Sequence, residues 1–343
     1  MKFKFTAKFM NLNYRSEDQK KELAGSNPVE MFEEAPPSYY RYDSNISLET
    51  PEHLVEAVEN AGYCVVKSSN SDPRKVLKCA SKKSAIDVFN KTKCVVLLKK
   101  LCVATVHGAY NVIVSAKNKC YIGCSSQHSI IANVGKLSRL VLKNSRSIVA
   151  SAGDRCTIDG SMRKGVAAIT GERNNVIISG ERSIISNTGN NAELDPKGLL
   201  MSVVASTGHN ANILSSSEGN DNIFVSTGDF GRIISKSPGS IAIGAGMNSY
   251  AETIDKGGAA IVAAIDSHAK ASKAGAIAMA LSDWSCASGV YGSYLLLGNN
   301  KITEAMNKFV VMYVDDKIIL SNHRYTLDCK GRIIDLTEQE KQK

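Results

Sequence analysis

Ser226-Thr227-Gly228-Asp229-Phe230-Gly231-Arg232-Ile233-Ile234-Ser235-Lys236-Ser237-Pro238-Gly239-Ser240-Ile241-Ala242-Ile243-Gly244-Ala245-Gly246 holds two short apolar runs separated by glycine-bearing turns. Each run is three or four residues, too short to bury enough surface to fold alone. The pattern recurs along the chain. Gly135, Gly153, Gly171 and Gly189 are eighteen residues apart, and Gly208, Gly228 and Gly246 follow at nineteen, twenty and eighteen. A second series, Gly180, Gly198, Gly219, Gly239 and Gly257, falls about halfway between. Each coil of about eighteen residues therefore contains two half-repeats, each a strand and a turn.

The strands include Ser147-Ile148-Val149, Val176-Ile177-Ile178, Ser183-Ile184-Ile185, Ser202-Val203-Val204 and Asn222-Ile223-Phe224-Val225. Coils of such strands become stable by stacking, so that each pairs with the next around a shared core. The expected fold is mainly β, a parallel β-solenoid over residues 111–289. An eighteen-residue turn fits a two-sided roll or a three-sided helix of either hand. Glycine at the corners is expected to supply the positive φ of a tight turn.

Outside the array the pattern changes. Residues 1–50 read as an extended segment with Glu33-Glu34-Ala35-Pro36-Pro37, and residues 51–110 as a small basic α/β region. In that region helical spacing is read over Pro51–Ala61 and Pro73–Asn90, with Tyr63–Val66 as a strand. Residues 290–343 read as an antiparallel β cap and tail, with strands at Tyr294–Leu297, Phe309–Val314, Ile318–Leu320, Tyr325–Leu327 and Ile333–Ile334. Asp315-Asp316-Lys317 and Cys329-Lys330-Gly331 read as hairpin turns. Such a cap covers the open edge of the last coil.

The 343 residues carry a formal net charge of +9, and aromatics are only 6% of the chain, which points to a core of small and β-branched side chains. Between Lys67 and Lys100 ten cations face two acids, a segment able to contact nucleic-acid phosphate or to serve as a solvated face. Its candidate contacts are Arg74, Lys75, Lys78, Lys82 and Lys83, and Tyr39 and Tyr40 after the proline pair form a possible docking segment. Phe89 is the one ring inside the basic segment, which argues against a stacking platform for single strands. Nine scattered cysteines read as reduced, buried thiols. The sequence has neither an apolar signal region nor a membrane-length apolar run, so an intracellular location is expected, host cytoplasm or alternatively a virion.

No cluster amounts to a chemical signature, so no catalytic, cofactor or metal residue is assigned. Cys120, Cys124 and His128 have a metal-like spacing without an evident fourth ligand. Among turn carboxylates, Glu172 with Glu181 and Asp221 with Asp229 are the pairs to test for glycan cleavage, which needs two carboxyl groups across one bond.

Ser240-Ile241-Ala242-Ile243-Gly244 and the Ala-Ser-Gly-rich run Ala259–Gly289 resemble the repeats of trimeric autotransporter adhesin heads, which form a β-roll. The repeats joined to Val290-Tyr291-Gly292-Ser293-Tyr294-Leu295-Leu296-Leu297, Phe309–Ile318 and Arg324-Tyr325-Thr326-Leu327 more closely resemble uncharacterised phage and prophage proteins whose repeat array ends in a small β-cap. That resemblance covers about Val166–Leu336 and implies a non-enzymatic, phage-associated binding scaffold, with a host intracellular protein as partner in an inhibitory or anti-defence role. The alternative is a glycan-binding virion fibre or adhesin-like structural protein, expected to carry an apolar face outside its coils. A glycan-cleaving solenoid is the third reading. A homo-oligomer, dimer or trimer, is compatible with all three.

Overall fold

The computed structural model describes residues 64–67, 76–79, 84–88, 94–216, 219–299 and 309–342. The chain is a parallel β-solenoid of about 11 turns, with antiparallel strands at its C-terminal end. It divides into two compact units, Met1–Ala167 and Ala168–Lys343.

In each unit consecutive strands alternate between two sheets, so every coil has two sides and the form is a two-sided roll. In the first unit one sheet, sheet I, contains Cys64–Lys67, Ser84–Val88, Val103–Val106, Tyr121–Cys124, Arg139–Ser145 and Thr157–Arg163. Sheet II there contains Val76–Cys79, Cys94–Leu97, Val112–Ser115, Ile130–Asn133 and Ile148–Ser151. In the second unit sheet I runs from Asn175–Glu181 to Cys286–Gly289, and sheet II from Ile184–Asn187 to Tyr294–Gly298. The registers repeat from coil to coil, as Ile113 aligns with Ile131, Phe224 with Ala242, and Ala269 with Ala287, with a one-residue shift between Ile178 and Gly180 where Asn175–Glu181 pairs with Glu193–Leu200.

Alternate strand residues point in. Ile113, Ile131, Ile122 and Leu140 are fully buried in the first unit, as are Ala242, Ala251, Ala260 and Ala269 in the second. Where alanines fill the interior the sheets draw together: Cα atoms of Tyr250–Thr253 and Ile277–Ala280, on opposite sheets, come within 8 Å. Ordinary stacked sheets lie about 10 Å apart.

At each corner one residue takes a left-handed conformation, and most of these are not glycine. One corner series includes Leu137, Arg155, Arg173, Asn191 and Asn210, and the other Tyr110, His128, Arg146, Lys164 and Arg182, all with φ between +51° and +58°. The amides of Tyr110, His128, Leu137, Arg146, Arg173, Arg182, Asn191 and Asn210 donate to carbonyls of the following coil, as Arg146 does to Arg163 at 2.8 Å and Asn191 to His209 at 2.8 Å. The expectation that glycine supplies the positive φ is therefore corrected for the first glycine series apart from Gly171, whose φ is +101°. Those glycines are needed for proximity. A Cβ on Gly189 would lie 1.6 Å from the Gly171 carbonyl oxygen, and one on Gly208 1.9 Å from that of Gly189.

At several coils the residue after the left-handed position is a buried serine or asparagine that links coils through its side chain. The Ser129 hydroxyl accepts from the Asn111 amide and the Ser147 hydroxyl from the Ser129 amide, both at 3.1 Å. In the second unit Ser202 accepts from Ser183, and Ser267 from Ser249, at the same distance. Asn133 and Asn187 brace the glycine corners from inside, donating to the Gly135 carbonyl at 3.0 Å and the Gly189 carbonyl at 2.9 Å.

Several boundaries differ from the sequence reading. Val76–Cys79 and Ser84–Val88 are strands of successive coils, not parts of a helix over Pro73–Asn90; the spacing of their apolar residues matches a helical period by chance. Paired coils thus begin by Cys64, upstream of Asn111. Tyr294–Gly298 is the last parallel strand of sheet II rather than a cap strand. The cap itself is antiparallel: Phe309–Tyr313 pairs with Tyr294–Gly298, Tyr325–Leu327 with Cys286–Gly289, and Ile333–Asp335 with Tyr325–Leu327. The last pair is joined by the expected turn at Cys329-Lys330-Gly331. Ile318–Leu320 is not a strand, because the Asp315 carboxylate accepts from the amides of Lys317, Ile318 and Ile319 and curls the chain. Leu336–Lys341 is a helix capped by Asp335, whose carboxylate accepts from Thr337 and Glu338 amides. The segments Pro51–Ala61 and Glu33–Pro37 lie outside the described residues.

Candidate binding faces

The two sheets turn chemically different surfaces outward. On sheet II of the second unit one outward column runs from Ile184 through Val203, Ile223, Ile241, Ala259 and Ile277 to Tyr294, each in register with its neighbours. Beside it runs Ala205, Val225, Ile243, Ile261, Met279 and Leu296. The cap prolongs both, with Tyr313 against Tyr294, ring centroids 5.2 Å apart, and Val311 against Leu296. Ile184 is 50% exposed, Tyr294 45% and Val311 67%. In the first unit Val112, Ile130 and Ile148 form an apolar column of their own, and Ile148 is 50% exposed. None of these outward side chains carries a charge in a chain that is 22% charged. β-Branched residues suit a strand position on either face, so strand formation alone does not require this; a polar residue would serve equally at an exposed site.

Sheet I is the opposite. In the second unit its outward positions include Asn175, Glu193, Arg232, Tyr250, His268 and Lys270. Glu252 gathers the Tyr250 hydroxyl at 2.8 Å, the Ser272 hydroxyl at 2.6 Å and the Lys270 ammonium at 3.1 Å. Burial opposes the charge on Glu252, but these donors outweigh it and hold the carboxyl below its ordinary range. The Arg232 guanidinium lies 5.8 Å from the centre of the Tyr250 ring. His268 packs edge-on against Tyr250, and its Nε2 is 2.7 Å from the Ser288 hydroxyl. Burial, then the Arg324 and Lys270 charges, push His268 down to about 4, so it is neutral at physiological pH. In the first unit Arg139 and Asp159 form an ion pair of 2.9 Å on sheet I, with both side chains largely buried.

A third feature is a cleft of ≈ 270 Å³ in the first unit, lined by Gln127, Ser145, Arg146, Arg163 and Lys164. Arg146 and Lys164 hold the same left-handed corner position one coil apart, which places cations side by side. Their eighteen-residue separation is the signal of that pairing in the sequence, and it lies outside the charge-dense 67–100 segment.

Of the candidates named from sequence, Arg74, Lys75, Lys82, Lys83, Tyr39 and Tyr40 lie outside the described residues. Lys78 is on the strand Val76–Cys79, in register with Val96. Glu172 and Glu181 sit at opposite corners, beyond the two ends of the buried run Val176–Ile178, and Asp221 and Asp229 flank Ile223–Ser226 in the same way. Nine extended residues span roughly 25 Å and a retaining or inverting pair needs about 5–10 Å, so neither pair spans one scissile bond. Cys120, Cys124 and His128 are also separated. The Cys120 thiol donates to the Lys99 carbonyl at 3.4 Å, Cys124 is 2.8 Å from the Ser126 hydroxyl, and His128 stacks on Tyr110 at 4.9 Å. Hydrogen bonding with Cys102, then burial, raises the Cys120 pKa; burial raises that of Cys124. Cys102, Cys120, Cys124, Cys156 and Cys286 are free and buried. Among the described residues no group of three His, Cys, Asp or Glu side chains could hold a metal, and no helix is long and apolar enough to cross a membrane.

Comparison with protein-family models, curated proteins and solved structures produced no match.

Proposed function

We propose that this chain is a non-enzymatic scaffold that works by presenting long, regular faces to other macromolecules. The observation that supports this reading is the separation of an uncharged, apolar exterior on sheet II from a polar, charged exterior on sheet I. Repeat arrays make extended interfaces of this kind because each coil repeats the side chain of the last at a fixed interval. Of the two settings considered, the exposed apolar ladder favours the structural one, a fibre or adhesin-like protein that assembles through sheet II and reads a glycan with sheet I. Arg232, Tyr250, Glu252 and Lys270 provide the rings, carboxylate and cations suited to sugar hydroxyls and acidic sugars. Capture of a host intracellular protein by a phage-associated scaffold is the alternative, supported by the resemblance in the repeats and cap.

The test compares wild type with Arg232→Glu/Lys270→Glu, both on immobilised glycans and by affinity purification from the cell that naturally expresses the chain. The fibre or adhesin reading expects glycan retention that the double variant loses by at least tenfold. A stoichiometric cellular protein released by the same variant would replace it with the capture reading. Retention of neither class overturns display by sheet I.

A further inference from the structure

We propose that the apolar exterior of sheet II pairs face to face with a second copy of this chain. The inference deepens the scaffold reading by naming the partner of that surface.

Three observations carry it. The first is extent. In the second unit alone, eight strands from Ile184–Asn187 to Phe309–Tyr313 contribute to the surface. Neighbouring strands lie about 4.8 Å apart and four residues span about 13 Å, so the face covers roughly 500 Å². This is at the upper end of the largest apolar patch on a typical monomer, about 300–600 Å². Two such faces would bury about 1,000 Å², the lower bound of a specific interface.

The second observation is chemistry. With no charge on the face, it offers neither attraction nor discrimination toward a polar partner, whereas an identical face matches it completely. The third is periodicity. Side chains such as Ile223, Ile241 and Ile277 recur at the pitch of the parallel ladder. Interdigitation over several coils requires a partner of the same pitch and flatness. A second copy related by a two-fold axis provides it, because an isologous contact places one patch against itself. The charged exterior of sheet I then faces solvent in both copies, which leaves it free to bind and limits further stacking.

The mass of the full-length chain, followed by sedimentation across the micromolar range, tests the pairing. Wild type is expected at twice 36.8 kDa. Ile223→Lys/Ile277→Lys, three strands apart on the exterior, is expected to run as a monomer with an unchanged far-ultraviolet β spectrum. Ile223→Thr/Ile277→Thr keeps β-branching if the lysines impair folding, and is expected to weaken dimerisation at least tenfold. Arg232→Glu, on the other sheet, is expected to remain dimeric. A monomeric wild type, a dimer indifferent to both sheet II pairs, a dimer dissolved by Arg232→Glu, or a trimer each overturns the proposal. An intact dimer without a glycan or protein ligand counts against display by sheet I alone, and a monomer that still binds counts against pairing alone.

Discussion

The coils around Ile113, Ile122, Ile131 and Leu140 share their eighteen-residue period with those around Ala242, Ala251, Ala260 and Ala269, yet their interiors differ by three methyl-sized groups at each position. The alanine coils compensate by bringing the sheets closer, to within 8 Å between Cα atoms. The rise from coil to coil is fixed by the backbone ladder and the corner contacts, and the thickness by what fills the interior. These two dimensions vary independently. Buried methylenes contribute roughly 0.8 kcal/mol each, so the thick coils draw more of their stability from apolar burial and the thin ones proportionally more from the ladder.

The strongest way to break the contrast is at a corner both regions must make. Gly189→Ala places a Cβ where the Gly171 carbonyl oxygen already sits, so a loss of about 4 kcal/mol or more is expected in urea unfolding. Ala264→Gly, at the same corner position among the thin coils, is expected to cost no more than about 1 kcal/mol. Next comes the interior. Ile131→Ala is expected to cost about 2–5 kcal/mol by opening a cavity, whereas Ala260→Leu, which adds volume between sheets that are already close, is expected to cost about 1–3 kcal/mol by overpacking. Equal costs for Ile131→Ala and Ala260→Gly would erase the distinction.

Acid sharpens it further. His268, among the alanine coils, has its pKa lowered from the ordinary 6.5 to about 4, mainly by burial. Its folded pKa lies below its unfolded one, so the unfolded chain binds the extra proton first. Stability is complete above about pH 6.5 and falls progressively toward pH 4, by about 3 kcal/mol, and His268→Gln is expected to remove that part of the decline in a pH series of thermal melts. His107 in the thick coils is also lowered by burial and acts in the same direction. The smallest effect tests what the regions share: Ser129→Ala and Ser267→Ala should each cost about 1 kcal/mol, since each hydroxyl accepts one amide of the preceding coil.

The glycine spacing made the coil readable because backbone stacks on backbone at Gly135, Gly153 and Gly189, where nothing else fits. The cap was legible at Cys329-Lys330-Gly331 for the same reason, a turn with its own local chemistry. The sidedness of the array was not. Val176-Ile177-Ile178 and Ile241-Ala242-Ile243 lack the polar alternation that distinguishes an inner from an outer face, so an exposed apolar column reads like buried core. Val76, Leu77, Ala85 and Val88 misled in another way, since the apolar residues of two short successive strands imitate helical spacing. The polar cluster around Glu252 unites residues from three coils, at Arg232, Tyr250 and Lys270, which lie about one period apart and carry no local motif.

The fixed register has a consequence for the molecule's dimensions. Ile223 aligns with Ile241, and Arg232 with Tyr250, each across one eighteen-residue step. Excising Asp229–Gly246 would rejoin equivalent corners, leaving every remaining side chain on its original side while shortening the stack by about 4.8 Å. Length is thus quantised in whole coils, and a gene that gains or loses eighteen codons changes the reach of the protein without redrawing its surfaces.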